Sequence, residues 1–249
     1  MNNNKTALVT GGAKGIGAAI CRVLAENGYN VAINYNTSEN KAQSLKSELS
    51  ALSSVEIFKA DVSISSDVDK MFSEIEKIFG GVDILINNAG VAQQALFTDI
   101  TDEMWQRMIG TNLTGAFNCC RRALPFMINK KSGKIINIAS MWGEVGASLE
   151  VHYSAAKAGL IGLTKALAKE EGLSGITVNA VSPGVIETDM LNSFTEEDKA
   201  VLKEETPLNK IGSVNDIAQA VAFLASDKAD FNRSGYFCKR RICNLEVSL

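Results

Sequence analysis

Short apolar runs alternate with helical stretches along almost the whole chain, and this alternation limits the possible folds more than any other feature. Strand-like runs lie at 5–10, 31–35, 55–59, 82–87, 134–140 and 176–181. Helical patterns separate them at 15–27, 41–50, 65–79, 102–127 and 152–171. Strands that regularly alternate with helices predict a parallel sheet with helices on both faces. The strands are nearly continuous apolar runs, as strands covered on both sides must be. A chain of 249 residues with 46% hydrophobic residues can bury about three quarters of its unfolded surface without a metal or disulfide staple.

Several functional classes drop out at once. A formal charge of −3 argues against general nucleic-acid binding. Five cysteines, none in a C-x-x-C pair, point to free thiols in a reducing compartment. His152 is the single histidine, which argues against a histidine triad or a multi-histidine metal site. No apolar run reaches the length of about 18 residues needed to span a membrane. The start of the chain is polar and lacks a signal-peptide core, so the expected location is cytoplasmic.

The first strand runs into Thr10-Gly11-Gly12-Ala13-Lys14-Gly15-Ile16-Gly17. Glycines permit a tight turn and close backbone approach to a pyrophosphate, and the helix that follows offers free N–H groups and a positive dipole end. Between a strand and a helix the motif predicts a dinucleotide site. The second strand ends Asn34-Tyr35-Asn36-Thr37, without the acid that would bind a ribose 2′-hydroxyl. Lys14 brings a cation to the loop. Both features favour the 2′-phosphate of NADP.

Tyr153 and Lys157 stand at i and i+4 on one helix face, and Ser140 closes the preceding strand. A free tyrosine titrates near pH 10, and lowering it by about 3 units takes roughly 4 kcal/mol. One cation at about 4 Å and an effective dielectric near 20 supplies about that much. A Tyr–Lys pair is therefore sufficient for proton transfer without histidine.

Taken together these motifs resemble the short-chain dehydrogenase/reductase family. The resemblance runs from about residue 5 to 231 and includes Asp61-Val62, Asn87-Asn88-Ala89-Gly90, Asn112 and Pro183-Gly184. It implies a single-domain Rossmann fold of about seven strands in the order 3-2-1-4-5-6-7, with a substrate lid at about 185–212. It also implies roles. Tyr153 donates the proton, Ser140 binds the carbonyl oxygen, and Lys157 holds the nicotinamide ribose and tunes Tyr153. Asn112 holds a water that links Lys157 to solvent. Asp61 and Val62 border the adenine, Asn88, Ala89 and Gly90 the adjoining ribose, and Pro183, Gly184, Ile186 and Thr188 the nicotinamide, while Gly11, Gly12, Lys14, Gly15, Ile16, Gly17 and Asn36 hold the phosphates and their surroundings. Hydride would come from NADPH, with no metal.

Much of the chain resembles the bacterial 3-oxoacyl-[acyl-carrier-protein] reductases within that family. Two departures stand out. Ser174 occupies a position that is often basic there, and Ala92-Gln93-Gln94 replaces a common Thr-Arg-Asp. Lys130, Lys131 and Lys134 are candidates for a carrier-docking patch. Residues 140–153 look more like a subgroup that reduces 5-aminopentanone on elongation factor P. Gln93, Met141, Trp142, Glu144 and Glu150 are candidate substrate contacts, and a carboxylate among them would pair with a substrate ammonium. A third reading is a cofactor-binding sensor that has lost its chemistry. A homodimer or homotetramer is expected.

The end of the chain departs from the resemblance. Related chains close with Thr-Gly-Gln, then four residues, then Asp or Asn and Gly-Gly. Codons permitted by Asn232-Arg233-Ser234 and Lys239-Arg240-Arg241 spell Thr-Gly-Gln and Asn-Gly-Gly when shifted one base to the right. The expectation is a frameshifted tail over 232–249, which puts a tetramer in doubt. That tail carries four basic residues and one acid, so the body is more acidic than the whole.

Overall fold

The computed structural model describes residues 5–187, 195, 209–229 and 237–238. The expected lid lies mostly outside the described residues, as do Thr188 and all of the expected tail except 237–238.

Seven parallel strands form one sheet in the order β3-β2-β1-β4-β5-β6-β7, as the resemblance implied. They are β1 (Thr6–Val9), β2 (Asn30–Tyr35), β3 (Val55–Lys59), β4 (Ile84–Asn87), β5 (Gly133–Ile138), β6 (Ile176–Val181) and β7 (Phe237–Cys238). The last is short and pairs Phe237 with Ala180 and Cys238 with Val181. Period-two alternation divides each central strand between two cores. Ala7 and Val9 of β1, and Ile84 and Ile86 of β4, face one core. Leu8 and Leu85 face the other.

The helices cover both faces. They are α1 (Gly15–Glu26), α2 (Glu39–Leu49), α3 (Ser65–Phe79), α4 (Asp102–Ile109), α5 (Gly115–Lys130), α6 (Trp142–Val145), α7 (Val151–Glu171) and α8 (Val214–Ala225). Ile20 and Leu24 of α1 share the first core with Val221 and Leu224 of α8. Met71 and Phe72 of α3 meet Cys119 and Ala123 of α5 in the second. The sequence pattern did not reveal α8. Its start is a capping box in which Ser213 and Asp216 bond reciprocally, which satisfies free N–H groups at the helix end.

One predicted element is corrected. The single helix expected over 102–127 is broken by a π-turn at Gly110–Thr114. The Asn112 side chain donates to the Met108 carbonyl at 3.0 Å. Such a bond to the i−4 carbonyl competes with the backbone ladder, and single π-turns occur mostly inside α-helices at functional sites.

Strand order reverses between β1 and β4, and in such sheets ligands bind beyond the strands' C-terminal ends at that point. A buried relay fixes α7 beneath this edge. Asn87 Nδ2 donates to Asn137 Oδ1 at 2.8 Å, and Asn137 Nδ2 donates to the Thr164 hydroxyl at 2.8 Å.

Candidate active site

The site is built on hydrogen bonds at the C-terminal ends of β1, β2 and β4. Thr10 Oγ1 accepts from the backbone N–H groups of Asn88 and Ala89 at 2.9 and 3.0 Å. The Asn88 amide donates to the carbonyls of Thr10 and Gly11 at 2.9 and 3.1 Å. Gly11 takes a positive φ of 60°, and its N–H donates to Asn34 Oδ1 at 3.1 Å. A Cβ on Gly17 would lie 2.6 Å from Asn88 Nδ2, so only glycine lets α1 start this close to the loop. Asn34, a buried residue to which the motif reading gave no role, also donates to the Ala60 carbonyl at 3.1 Å.

These bonds frame a cavity of about 530 Å³. Gly11, Lys14, Asn36, Asp61, Val62, Ala89 and Gly90 line it, all expected there. Gln106, Arg107, Gly110 and Thr111 line it as well. No motif pointed to these four, although 107, 110 and 111 share one helical face. Asp61 is already engaged. Its Oδ1 accepts from the Ser63 N–H and hydroxyl at 2.9 and 2.6 Å, and its Oδ2 accepts from Asn36 at 3.0 Å. The cavity, the glycine cradle and the cation at Lys14 fit a phosphorylated dinucleotide.

The catalytic candidates stand beside this cavity. Gly90 bridges the two regions: a Cβ there would lie 2.7 Å from Asn112 Oδ1 and 3.8 Å from Lys157 Nζ. Ser140 is buried at the end of β5 and shares a hydrogen bond with Tyr153. Lys157 is buried and donates to the Ile138 carbonyl at 2.7 Å, with Nζ 5.6 Å from the Tyr153 ring centre. Trp142 meets the Tyr153 ring edge-on at 6.2 Å. A Cβ on Gly143 would fall 2.7 Å from the Lys157 carbonyl carbon, so glycine there lets α6 rest on α7.

Three expectations change. First, burial enters the balance at Tyr153 beside the cation. Burial pushes the tyrosine up to about 12; the Ser140 hydrogen bond opposes this, and the charge of Glu150 adds to it. Burial also takes Lys157 down to about 8. The sequence estimate placed the cation in contact and omitted desolvation, which dominates here. Second, the Asn112 side chain is committed to protein groups. It donates to the Val91 carbonyl at 2.9 Å and accepts from the Val91 N–H at 3.3 Å, so it clamps the loop after β4. Third, the expected docking patch is smaller: Lys134 is buried, Lys130 is exposed and pairs with Asp83 at 2.5 Å, and Lys131 is exposed.

The candidate substrate residues separate by burial. Gln93 and Glu144 are exposed, and Met141 and Trp142 are half-buried. Glu150 is only 5% exposed, and its Oε2 has no partner among the described residues. Burial raises its pKa, opposed by a hydrogen bond from Gln94. The adjoining loops also meet through the backbone, where the Ala95 N–H donates to the Leu149 carbonyl at 2.9 Å. His152, expected to face away from the chemistry, is fully buried; neither ring nitrogen has a partner among the described residues, and burial lowers its pKa. Pro183, Gly184 and Ile186 follow β6, and Ile186 bridges to Gly212. No group of metal-ligating side chains occurs among the described residues, and no described helix is long and apolar enough to cross a membrane.

Comparison with known proteins agrees with this geometry. The family model described as short chain dehydrogenase matches residues 5–199. A protein of Staphylococcus epidermidis named 3-oxoacyl-[acyl-carrier-protein] reductase FabG is 46% identical, covering 92% of this chain and 94% of its own. An acetoacetyl-CoA reductase of Rhizobium meliloti is 44% identical, covering 92% and 93%. The oxidoreductase YmfI of Bacillus subtilis is 41% identical, covering 92% and 94%. The chain is thus an oxidoreductase acting on CH–OH and C=O groups, and it belongs to the short-chain dehydrogenase/reductase family.

Proposed function

We propose that this protein is an NADPH-dependent carbonyl reductase whose substrate is a 3-oxoacyl thioester, carried on an acyl-carrier protein or coenzyme A. The observation that carries the reading is the placement of Tyr153: it shares a hydrogen bond with Ser140, has Lys157 Nζ 5.6 Å from its ring centre, and stands beside the dinucleotide-sized cavity. Reduction of a ketone needs a proton donor at the carbonyl oxygen, and a tyrosine phenol protonated at neutral pH can supply it. The similarity to the two thioester reductases above supports the substrate class.

NADPH, when bound, supplies the hydride. The chain's own residues do the rest. Gly11, Gly12, Gly15, Ile16 and Gly17 present the loop and helix end to the pyrophosphate. Lys14 and Asn36 would hold the 2′-phosphate, Asp61 and Val62 would border the adenine, and Asn88, Ala89 and Gly90 the ribose. Pro183, Gly184 and Ile186, with Thr188 beyond the described residues, would hold the nicotinamide. Ser140 orients the carbonyl oxygen, Tyr153 gives it a proton, and Lys157 holds the ribose hydroxyls. Asn112 positions the π-turn from which a water reaches Lys157. The test is NADPH oxidation with acetoacetyl-CoA. Turnover that vanishes in Tyr153→Phe supports the reading; no turnover with NADPH bound supports the sensor.

Glu150 favours a second reading, in which the ketone is a 5-aminopentanone group on modified elongation factor P. A buried carboxylate with a free oxygen is costly unless a cation or donor meets it, and a substrate ammonium would do so. Reduction of an aminoketone but not of 3-oxoacyl thioesters would establish that reading. Under either reading the protein works in the cytoplasm as a homo-oligomer. Exposed Phe97, Trp105 and Phe117 favour self-association, which size-exclusion chromatography reads directly.

A further inference from the structure

Arg107 is an exposed cation that no motif singles out, yet it faces the same cavity as Lys14. An arginine with an acid four residues earlier on a helix ordinarily pairs with it. Glu103 stands there but bonds Thr101 at the start of α4 instead. Among the described residues the Arg107 side chain has no ion pair or hydrogen bond, and neither has the side chain of Lys14. Two free cations thus face one cavity, while its acid, Asp61, is occupied by Asn36 and Ser63.

The two cations come from different elements. Lys14 belongs to the glycine loop, next to the end of β2. Arg107 rises from α4, and the chain just beyond α4 packs on the segment after β3. Gly110 lies against Ser63, and the Asn118 amide donates to the Val62 carbonyl at 3.0 Å. Arg107 thus lines the cavity from the α4 side together with Val62 and Ser63, while Lys14 lines it from the glycine loop.

We infer that Arg107 is a cofactor-binding residue whose guanidinium covers the purine ring of the dinucleotide, while the 2′-phosphate is left to Lys14 and Asn36. This rests on the dinucleotide site proposed above. A guanidinium is planar, carries its charge at every physiological pH and stacks on aromatic faces. A purine offers such a face on both dinucleotides, so the contact raises affinity without choosing between them. Lysine keeps the charge but not the plane.

The test is direct binding of NADPH and of NADH to the full chain, followed by fluorescence or calorimetry, in wild type, Arg107→Ala, Arg107→Lys and Lys14→Ala. Arg107 is exposed, and circular dichroism checks that each variant is folded. Arg107→Ala is expected to weaken both dinucleotides about three- to tenfold and equally, the size of a partly exposed cation–π contact. Arg107→Lys should recover only part of that loss. Lys14→Ala should weaken NADPH about tenfold and leave NADH unchanged. Unchanged binding of both dinucleotides to Arg107→Ala overturns the inference. A loss confined to NADPH also overturns it, because Arg107 would then be a phosphate contact. If wild type binds neither dinucleotide, the cofactor reading falls, and this one with it.

Discussion

The two halves of the site are built on opposite principles. Around the glycine loop the polar groups are satisfied within the protein. Thr10, Asn34 and Asn88 tie β1, β2 and β4 together and leave a shaped cavity. Around α7 the balance is reversed. Tyr153, Lys157 and Glu150 are titratable groups moved off their ordinary pKa values by burial, and Glu150 and His152 keep polar atoms without a partner among the described residues. The first half is a hydrogen-bonded frame around a cavity, proposed as the receptor, and the second holds desolvated titratable groups, proposed for the chemistry. Buried polar groups without partners reduce stability, so the catalytic half should gain stability when it is disabled. The receptor half should lose it.

Removing the proposed proton donor is the most severe test. Tyr153→Phe should lower turnover by about two to four orders of magnitude, the usual worth of a positioned acid, with NADPH affinity unchanged by direct titration. A comparable loss of affinity would place Tyr153 in the receptor half instead.

Lys157→Met should come next, with opposite effects on activity and stability. Lys157 titrates near 8 in the folded chain, below an unfolded value of about 10.4. Between those values the unfolded chain binds more protons, so wild-type stability rises with pH through that window. Below pH 8 the buried charge costs up to about 3 kcal/mol. The lost bond to Ile138 returns about 1 kcal/mol of that. Lys157→Met should therefore be the more stable protein at pH 7, by denaturant titration, while nearly inactive. A destabilised variant would contradict the contrast.

Asn88→Ala attacks the receptor half. It strips two carbonyls of their donor and should cost about 1–3 kcal/mol of stability. NADPH binding should weaken along with it, since the loop that meets the phosphates is the one released. Retained stability would show that the staples are redundant.

The smallest effect is expected from Glu150→Gln. The carboxyl has a raised pKa, so wild-type stability falls as pH rises from about 4.3 through the folded value. The amide should remove this slope and, by deleting a neighbouring negative charge, make Tyr153 a slightly stronger acid. Both appear as shifts in pH profiles. An unchanged profile would mean that Glu150 is paired at working pH.

Most of the receptor half was legible in the sequence because it consists of backbone geometry. Glycines spaced for a turn and a strand that ends without an acid state their purpose locally, and the alternation of elements gave the strand order through the resemblance. The catalytic half was legible only as a set of residue types. Ser140, Tyr153 and Lys157 were placed correctly beside one another, but burial reversed the expected direction of the tyrosine's shift, and burial is a tertiary property. The π-turn depends on one Asn112 bond within a helical pattern that otherwise continues. Arg107 looked like any surface arginine until its neighbour Glu103 was found engaged elsewhere. The shifted-frame reading of 232–249 is answered by the gene: Thr-Gly-Gln and Asn-Gly-Gly codons in the next frame support it, and their absence ends it.

The central claim is that a protonated Tyr153 beside a dinucleotide cavity reduces a ketone. It is tested most directly by following NADPH oxidation with acetoacetyl-CoA across pH, in wild type and Tyr153→Phe. Wild-type turnover should stay level through neutral pH and fall above about pH 8, as Lys157 loses its charge, and Tyr153→Phe should be inactive throughout. A wild-type protein that binds NADPH and turns over no ketone, or a Tyr153→Phe variant that keeps its activity, would contradict it.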